Sequence, residues 1–277
     1  MDQKCRSRQR TRTPLLPSIE KKWRLSQRMA ALSKNLSPPG NEWLLAVDTS
    51  FPRGGLALFS PASGETHVKI LPEKVRTSRV LLPAIESLMT ETRVPGESIL
   101  AVTAAIGPGS FTGLRIGLST LKGLSMGWGC PLYGIPSFDA LADTALRGWL
   151  AEGREAPGWI LTCRDARHEE LFSALFKPNY RNEEPGVLRV EKDRVGPFSE
   201  IPLPGKGDIL IVSGENDRLA NIAESKNRAE VLYWDLSIAP EGVARLAWRD
   251  TSEGRPDAPP GLEPIYGRRP RAETMWG

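Results

Sequence analysis

Residues 104 to 123 read AAIGPGSFTGLRIGLSTLKG, and no other stretch constrains the fold as much. An unbroken apolar run enters it, Ile99 to Ile106. Such a run suits a strand in a sheet covered on both faces. It ends in Gly107-Pro108-Gly109-Ser110-Phe111-Thr112-Gly113, where Ser110 or Thr112 can cap a helix reaching about Gly127. Strand, glycine loop and helix make an α/β unit, and phosphate-binding loops share that form. This is not a Walker loop, because Gly-Lys-Ser/Thr is missing and Lys122 sits well inside the helix. Gly113, Gly117, Gly123 and Gly127 recur along the helix. Each interior glycine costs about 1 kcal/mol relative to alanine, and close packing must offset it. With Leu114, Leu118 and Leu121 beside them, the glycines predict a face against which another helix docks, from this chain or another.

The surrounding pattern extends the unit. Trp43 to Val47, Gly54 to Ser60 and Thr66 to Leu71 read as strands separated by turn-forming Pro-Arg-Gly-Gly and Pro-Ala-Ser-Gly, an antiparallel meander. A helix from about Thr77 to Arg93 follows, with Leu81, Leu82, Ile85, Leu88 and Met89 as a wide apolar stripe. Pro83 fits it best if the helix starts only just before that residue. Leu132 to Ile135 is a short strand, and Ser137 is placed to cap a helix to about Leu150. The order β-β-β-α-β-α-β-α predicts an α/β lobe with a mixed sheet.

A second lobe starts near Pro157. Trp159 to Cys163 and Glu170 to Lys177 read as strands flanking Arg164-Asp165-Ala166-Arg167, with Val187 to Val190 as a third. Asp208 to Ser213 is another, ended by Gly214. Ser237 is placed to cap a helix from about Pro240 to Asp250. From Thr251 the chain is rich in Pro, Gly and charge and is expected to wrap the surface irregularly. The expected division is a basic extension over 1–40, an N-terminal lobe over 41–155, a C-terminal lobe over 156–250 and an irregular tail over 251–277.

Charge is unevenly spread. Ten Lys and Arg but only two acids precede Gly40, so the basic balance of the whole chain belongs to this extension and the body is net acidic. The extension reads as disordered over 1–17, with a helical apolar spacing of Leu25, Met29, Leu32 and Leu36 before Pro38-Pro39-Gly40 breaks it. It is an unstructured appendage, a segment upstream of a true start at Met29, an organelle transit-like segment, or a basic arm for RNA or an acidic partner. Cys5, Cys130 and Cys163 are odd in number and widely spaced, which argues against a disulfide framework or zinc site and fits a reducing, cytoplasmic setting. No apolar run reaches the ~20 residues of a membrane helix.

Chemistry-bearing residues are few. Asp48-Thr49-Ser50 ends the first strand, where one group of ATPases positions phosphate and magnesium. The same three residue types also make ordinary turns. His67 and His168 are the only histidines and form no ligand pair, so no metal site is expected. Cys163 lacks an activating neighbour. No catalytic set emerges.

Val47-Asp48-Thr49-Ser50, the 107–117 motif, Lys122-Gly123, Asp165-Ala166-Arg167 and Pro264-Ile265-Tyr266-Gly267-Arg268 together resemble the TsaB (YeaZ) family, over about Trp43 to Arg268. The resemblance implies a two-lobed, actin-like (ribonuclease H-like) ATPase fold with mixed sheets. It implies a non-catalytic subunit in the making of tRNA N6-threonylcarbamoyladenosine. Its expected partners are a TsaD-like paralogue, which holds the metal and transfers the group, a TsaE-like ATPase, and tRNA through the complex. The two helices of the first lobe would carry the docking face, through Leu81, Leu82, Ile85, Leu88, Gly113, Gly117 and Leu121. A leucine at Gly117 is then expected to block pairing and spare the fold. Any nucleotide would meet Asp48, Thr49, Gly107, Gly109, Ser110 and Gly214. No cofactor is required by this chain, and ATP with magnesium at the partner interface is left open. The sequence departs from the family at Arg76-Thr77, where a histidine often opens the helix, and at Gly214-Glu215-Asn216, which lacks the second glycine of a nucleotide turn.

Three rivals remain. An actin-fold ATPase or kinase would use Asp48 and the 107–113 loop. A metallopeptidase is disfavoured by the missing histidine ligands. A stand-alone RNA binder would use the basic extension, which lacks aromatic-basic interleaving.

Overall fold

The computed structural model describes residues 41–51, 53–167, 170–181, 183–197, 200–201, 208–213, 231–235, 238–254 and 261–266. The basic extension, His168, Gly214 to Asn216, Ser237 and Gly267-Arg268 lie outside them.

Five strands form the first sheet: β1 (Trp43–Asp48), β2 (Gly55–Phe59), β3 (Thr66–Ile70), β4 (Ile99–Ala105) and β5 (Leu132–Ile135), in the order β3-β2-β1-β4-β5. The β1-β2-β3 meander is antiparallel, and β4 and β5 add in parallel. Helix α1 (Thr77–Thr92) joins β3 to β4 through a 3-10 turn at Gly96–Ser98. Helix α2 (Phe111–Trp128) joins β4 to β5, and α3 (Ser137–Ala151) leaves β5.

The second sheet repeats this plan. An antiparallel meander of β6 (Trp159–Arg167), β7 (Glu170–Arg181) and β8 (Glu184–Arg189) is extended in parallel from β6 by β10 (Ile209–Ser213) and β11 (Val231–Asp235). Its order, β8-β7-β6-β10-β11, matches the first sheet position for position, while β9 (Arg194–Pro197) pairs on β7. The chain is thus two copies of one topology, with no sequence repeat to announce it.

Strand alternation explains the layering. On β1, Leu45 and Val47 face α1 and α2, joining Leu81, Ile85, Leu88, Leu118 and Leu121 in one core. Leu44 and Ala46 face the other way, into a second core with Phe138 and Leu141 of α3, Val243 and Leu246 of helix α4 (Pro240–Ser252), and Phe176 and Leu210 of the second sheet. Both faces of β1 are covered, as its unbroken apolar run requires. Helix α4 follows the second sheet in the chain yet packs on β1 and β2 of the first and on α3. Gly242 makes that crossing close, since a Cβ there would lie 2.5 Å from the Ala140 carbonyl oxygen. Arg245 adds an ion pair to the buried Asp143 at 3.1 Å.

Several expected details change. Helix α1 starts at Thr77, so Pro83 lies in its second turn, where the Arg79 carbonyl it leaves without a helical N–H is on the exposed side. Residues Arg164 to Arg167 belong to β6 rather than to a turn. Strands β9 and β11 had no clear sequence signal. Helix α4 starts after Ala239 with Pro240 in its first turn and no side-chain cap, and it continues through Thr251 to Ser252. Beyond it, Gly261 to Tyr266 run irregularly across the first lobe, as the composition of the tail suggested.

Candidate functional site

The end of β1 and the loop after β4 meet at the top of the first sheet. Asp48 is fully buried. Its Oδ1 accepts from the Ser50 N–H at 3.0 Å and the Ser50 hydroxyl at 2.5 Å. Its Oδ2 accepts from the Ala239 N–H at 3.1 Å, at the N-terminus of α4. The carboxylate therefore closes a tight turn on one side and ties the entry to α4 on the other.

The glycine loop is filled from within. Thr49 donates its hydroxyl to the Gly113 carbonyl at 2.9 Å, and the Ser50 carbonyl accepts from the Ser110 N–H at 2.5 Å. A Cβ on Gly109 would lie 2.2 Å from the Ser50 carbonyl oxygen, on Gly113 2.1 Å from that of Thr49, and on Gly117 2.3 Å from the Thr49 hydroxyl. Gly107, at φ +106, faces the Ile265 carbonyl oxygen in the same way at 2.4 Å. These glycines exist because residues 48–50 and the returning tail press against them.

The amides of the loop are engaged too. The Gly107 N–H donates to the Ser137 hydroxyl at 3.1 Å, and the Ser137 N–H returns a bond to the Gly107 carbonyl at 2.8 Å. Ser137 is thus the first residue of α3 and a clasp on the loop, where the sequence suggested a cap; the helix is entered from Pro136 with no side-chain cap. Ser110 does cap α2, accepting from the Gly113 N–H at 3.2 Å. The carboxylate and the Gly107, Ser110 and Gly113 amides are all bonded within the chain.

Two further groups close this region. Arg164 of β6 is buried with its guanidinium carbon 3.4 Å from the centroid of the Phe51 ring, joining the second lobe to the loop after β1. Glu241, in the first turn of α4, has its carboxyl pushed up from the ordinary range by burial, with the charges of Asp48 and Asp143 adding to the rise against its own backbone N–H and Arg245. Neither was singled out in the sequence, because each depends on contacts between distant segments.

The tail motif meets the loop motif. Ile265 donates its N–H to the Ile106 carbonyl at 2.7 Å, and Lys122 holds the Leu262 carbonyl at 2.8 Å. Arg115 donates to the Tyr266 hydroxyl at 2.8 Å and lies over the Phe111 ring at 3.9 Å. The loop motif and the described part of the tail motif form one contact.

The helical face is different from the one the sequence drew. Leu81, Leu88, Gly113, Gly117 and Leu121 are buried in the chain's own core, behind the face, while Ile85, also buried, helps to line the groove between α1 and α2. Leu82 is the one of the seven that is exposed, at 54%. The outward side of α2 holds Gly123 and Gly127, where a Cβ would meet nothing within 4 Å. Between the C-terminal halves of α1 and α2 runs an open groove of about 590 Å³, lined by Leu82, Met89, Val94, Gly96, Leu124 and Trp128 among others. Among the described residues no cluster of His, Cys, Asp and Glu is suited to a metal ion, and no helix is long and apolar enough to cross a membrane.

Comparison with known proteins gives a consistent picture. The family model described as TsaD, tRNA N6-adenosine threonylcarbamoyltransferase, matches residues 67–229. The tRNA threonylcarbamoyladenosine biosynthesis protein TsaB of Bacillus subtilis (strain 168) is 30% identical over 175 residues, 63% of this chain and 67% of that protein. Its counterpart in Escherichia coli (strain K12) is 30% identical over 149 residues, 54% of this chain and 59% of that protein. The chain thus aligns with about three-fifths of the Escherichia coli protein's length. YeaZ from Pseudomonas aeruginosa superposes with a TM-score of 0.67 at 21% identity, covering 81% of this chain and 99% of that one. That likeness and the doubled sheet order show the fold: two ribonuclease H-like lobes in the actin-like ATPase arrangement.

Proposed function

Because this chain belongs to the TsaB (YeaZ) family, we propose that it is a non-catalytic subunit in tRNA N6-threonylcarbamoyladenosine biosynthesis, pairing with a TsaD-like paralogue. The observation that carries this reading is the commitment of Asp48. An actin-fold ATPase needs its first-strand carboxylate free to organise metal and phosphate, whereas here both oxygens are bonded inside the chain. A side chain bonded on both oxygens in this way supports a structural role for the position.

What the chain offers another protein is the groove between α1 and α2. Its lining is mostly apolar, with Leu82 and Ile85 of α1 and Leu124 and Trp128 of α2. Docking a helix of the paralogue there would bury that surface and hold the partner's own lobes in one orientation. The chain's role is then structural coupling. The paralogue supplies the metal and the transfer chemistry, a TsaE-like ATPase joins the pair, and tRNA is reached through the complex. On this reading the chain requires no cofactor of its own, ATP with magnesium belongs to the partner interface, and the assembly works in the cytoplasm.

The test is co-expression with the TsaD-like paralogue of the same organism, followed by size-exclusion chromatography with light scattering. A one-to-one complex in the wild type that is lost with Leu82→Asp supports the reading. Tight ATP·Mg binding by the isolated chain, abolished by Asp48→Ala with the fold intact, overturns it in favour of an ATPase or kinase.

A further inference from the structure

The groove lies at the end of the first lobe where the chain enters it. Helix α1 ends there at Thr92 and α2 at Trp128, and Gly96 of the 3-10 turn lines one side. β1 begins beside it. Trp43 is the register partner of Ile99, whose N–H donates to the Gly96 carbonyl. Whatever precedes Trp43 therefore leaves the fold next to the groove.

Forty-two residues precede Trp43. Within them Leu25, Met29, Leu32 and Leu36 are spaced i, i+4, i+7, i+11. At about 100° per residue they form one narrow stripe, with Arg24 and Lys34 off it. Pro38-Pro39-Gly40 ends the pattern, and the segment from Ser37 to Glu42 spans at most about 20 Å when extended. The stripe is therefore tethered within reach of an apolar groove that nothing among the described residues covers.

We propose that residues 18–36 fold back as an amphipathic helix whose Leu25-Met29-Leu32-Leu36 stripe occupies the α1–α2 groove in cis, so that the lone chain covers its own docking face. Helix-in-groove recognition needs only this spacing of apolar anchors against a complementary apolar surface. A second copy could bring the same stripe in trans, but a short tether gives the cis segment an effective concentration of order millimolar. The groove lining contains both Glu86 and Arg93, so its charge is mixed and the apolar stripe provides the recognition. The consequence for assembly rests on the reading of the groove as the TsaD-facing surface: the segment and the paralogue would then compete.

The test uses the full chain with p-benzoylphenylalanine at Met29. Photolysis is expected to give intrachain cross-links, on monomeric protein, to residues 82–96 and 124–128. The full-chain variant carrying Leu25→Asp and Leu32→Asp should lose them while still unfolding in one cooperative transition, at a somewhat lower midpoint because the docked segment no longer stabilises the folded state. Cross-links confined to other regions, cross-links found only in dimers, or cross-links unchanged in the double variant would each overturn cis docking. The same double variant should bind the purified paralogue at least tenfold more tightly than wild type. Unchanged binding alongside the expected cross-links would keep the segment in the groove and remove the groove from the pairing surface.

Discussion

The carboxylate of Asp48 accepts a hydrogen bond from the backbone N–H of Ala239, 3.1 Å away and 191 residues later in the chain. One oxygen ties the end of the first strand to the start of the last helix, and the other closes the turn at Ser50. Replacing Asp48 with alanine leaves the buried N–H groups of Ser50 and Ala239 without acceptors. Such losses cost about 1–3 kcal/mol each, so Asp48→Ala is expected to lower the unfolding free energy by about 2–4 kcal/mol. Asp48→Asn, which keeps one acceptor oxygen, should lose less. Denaturant titration of both variants checks this, and an undiminished stability in Asp48→Ala would contradict the structural role.

The four glycines of α2 should separate into two classes. Gly113 and Gly117 face Thr49 at distances no Cβ tolerates, 2.1 and 2.3 Å, while Gly123 and Gly127 face open space. Gly113→Ala and Gly117→Ala are expected to destabilise by about 1–3 kcal/mol or more through overpacking. Gly113 should suffer the larger loss because its obstacle is backbone. Gly123→Ala should be neutral or stabilise by up to about 1 kcal/mol, the helix propensity difference. A leucine at Gly117 therefore reports on folding, and Leu82→Asp is the variant that reports on docking. Thermal melts of the three alanine variants decide the matter.

How much of this was legible in the sequence turns on range. β1, β4 and the Ser110 cap were readable because hydropathy runs and caps are local. Ser137 was misread because its partner, the Gly107 amide, lies 30 residues away. The glycine spacing was visible, but a count of residues four apart does not say which side faces inward. At about 100° per residue, Gly123 and Gly127 turn away from the stripe of Leu114, Leu118 and Leu121, and only the placement of Thr49 reveals why Gly113 and Gly117 are needed. The Asp48–Ser50 turn was among the readings the sequence allowed, but the bond from Asp48 to Ala239 could not be read, since Ala239 carries no side-chain signal and offers only its N–H. The doubled topology was equally hidden, because each sheet is built from different residues that share only a strand order.

Glu241 gives a pH dependence with a definite sign. Its folded-state pKa lies above the ordinary value of 4.5, from burial first and then the negative charges of Asp48 and Asp143. The folded chain therefore holds this proton more tightly than the unfolded chain does. The stabilisation is full below the ordinary value and is lost as pH rises through the raised one. Glu241→Gln should remove that decline and be more stable than wild type at neutral pH. Comparing the two unfolding free energies from pH 4 to 8 checks it, and a difference that does not change with pH would refute the assignment.

The Arg164–Phe51 contact predicts a link between the lobes. Arg164 is buried, with its guanidinium stacked over the Phe51 ring. Phe51→Ala removes the aromatic face and should destabilise by about 1–3 kcal/mol, combining lost burial with the cation–π contact. Phe51→Trp, which keeps a face, should recover part of it. Equal losses in the two variants would mean that the contact contributes little.

The most direct measurement of the central claim is the stoichiometry of this chain co-expressed with the TsaD-like paralogue of the same organism, read by light scattering after size exclusion. The account predicts a one-to-one complex for wild type, none for Leu82→Asp, and an isolated chain that does not bind ATP·Mg. Failure of the wild type to pair, together with tight ATP·Mg binding that disappears in a folded Asp48→Ala variant, would contradict it.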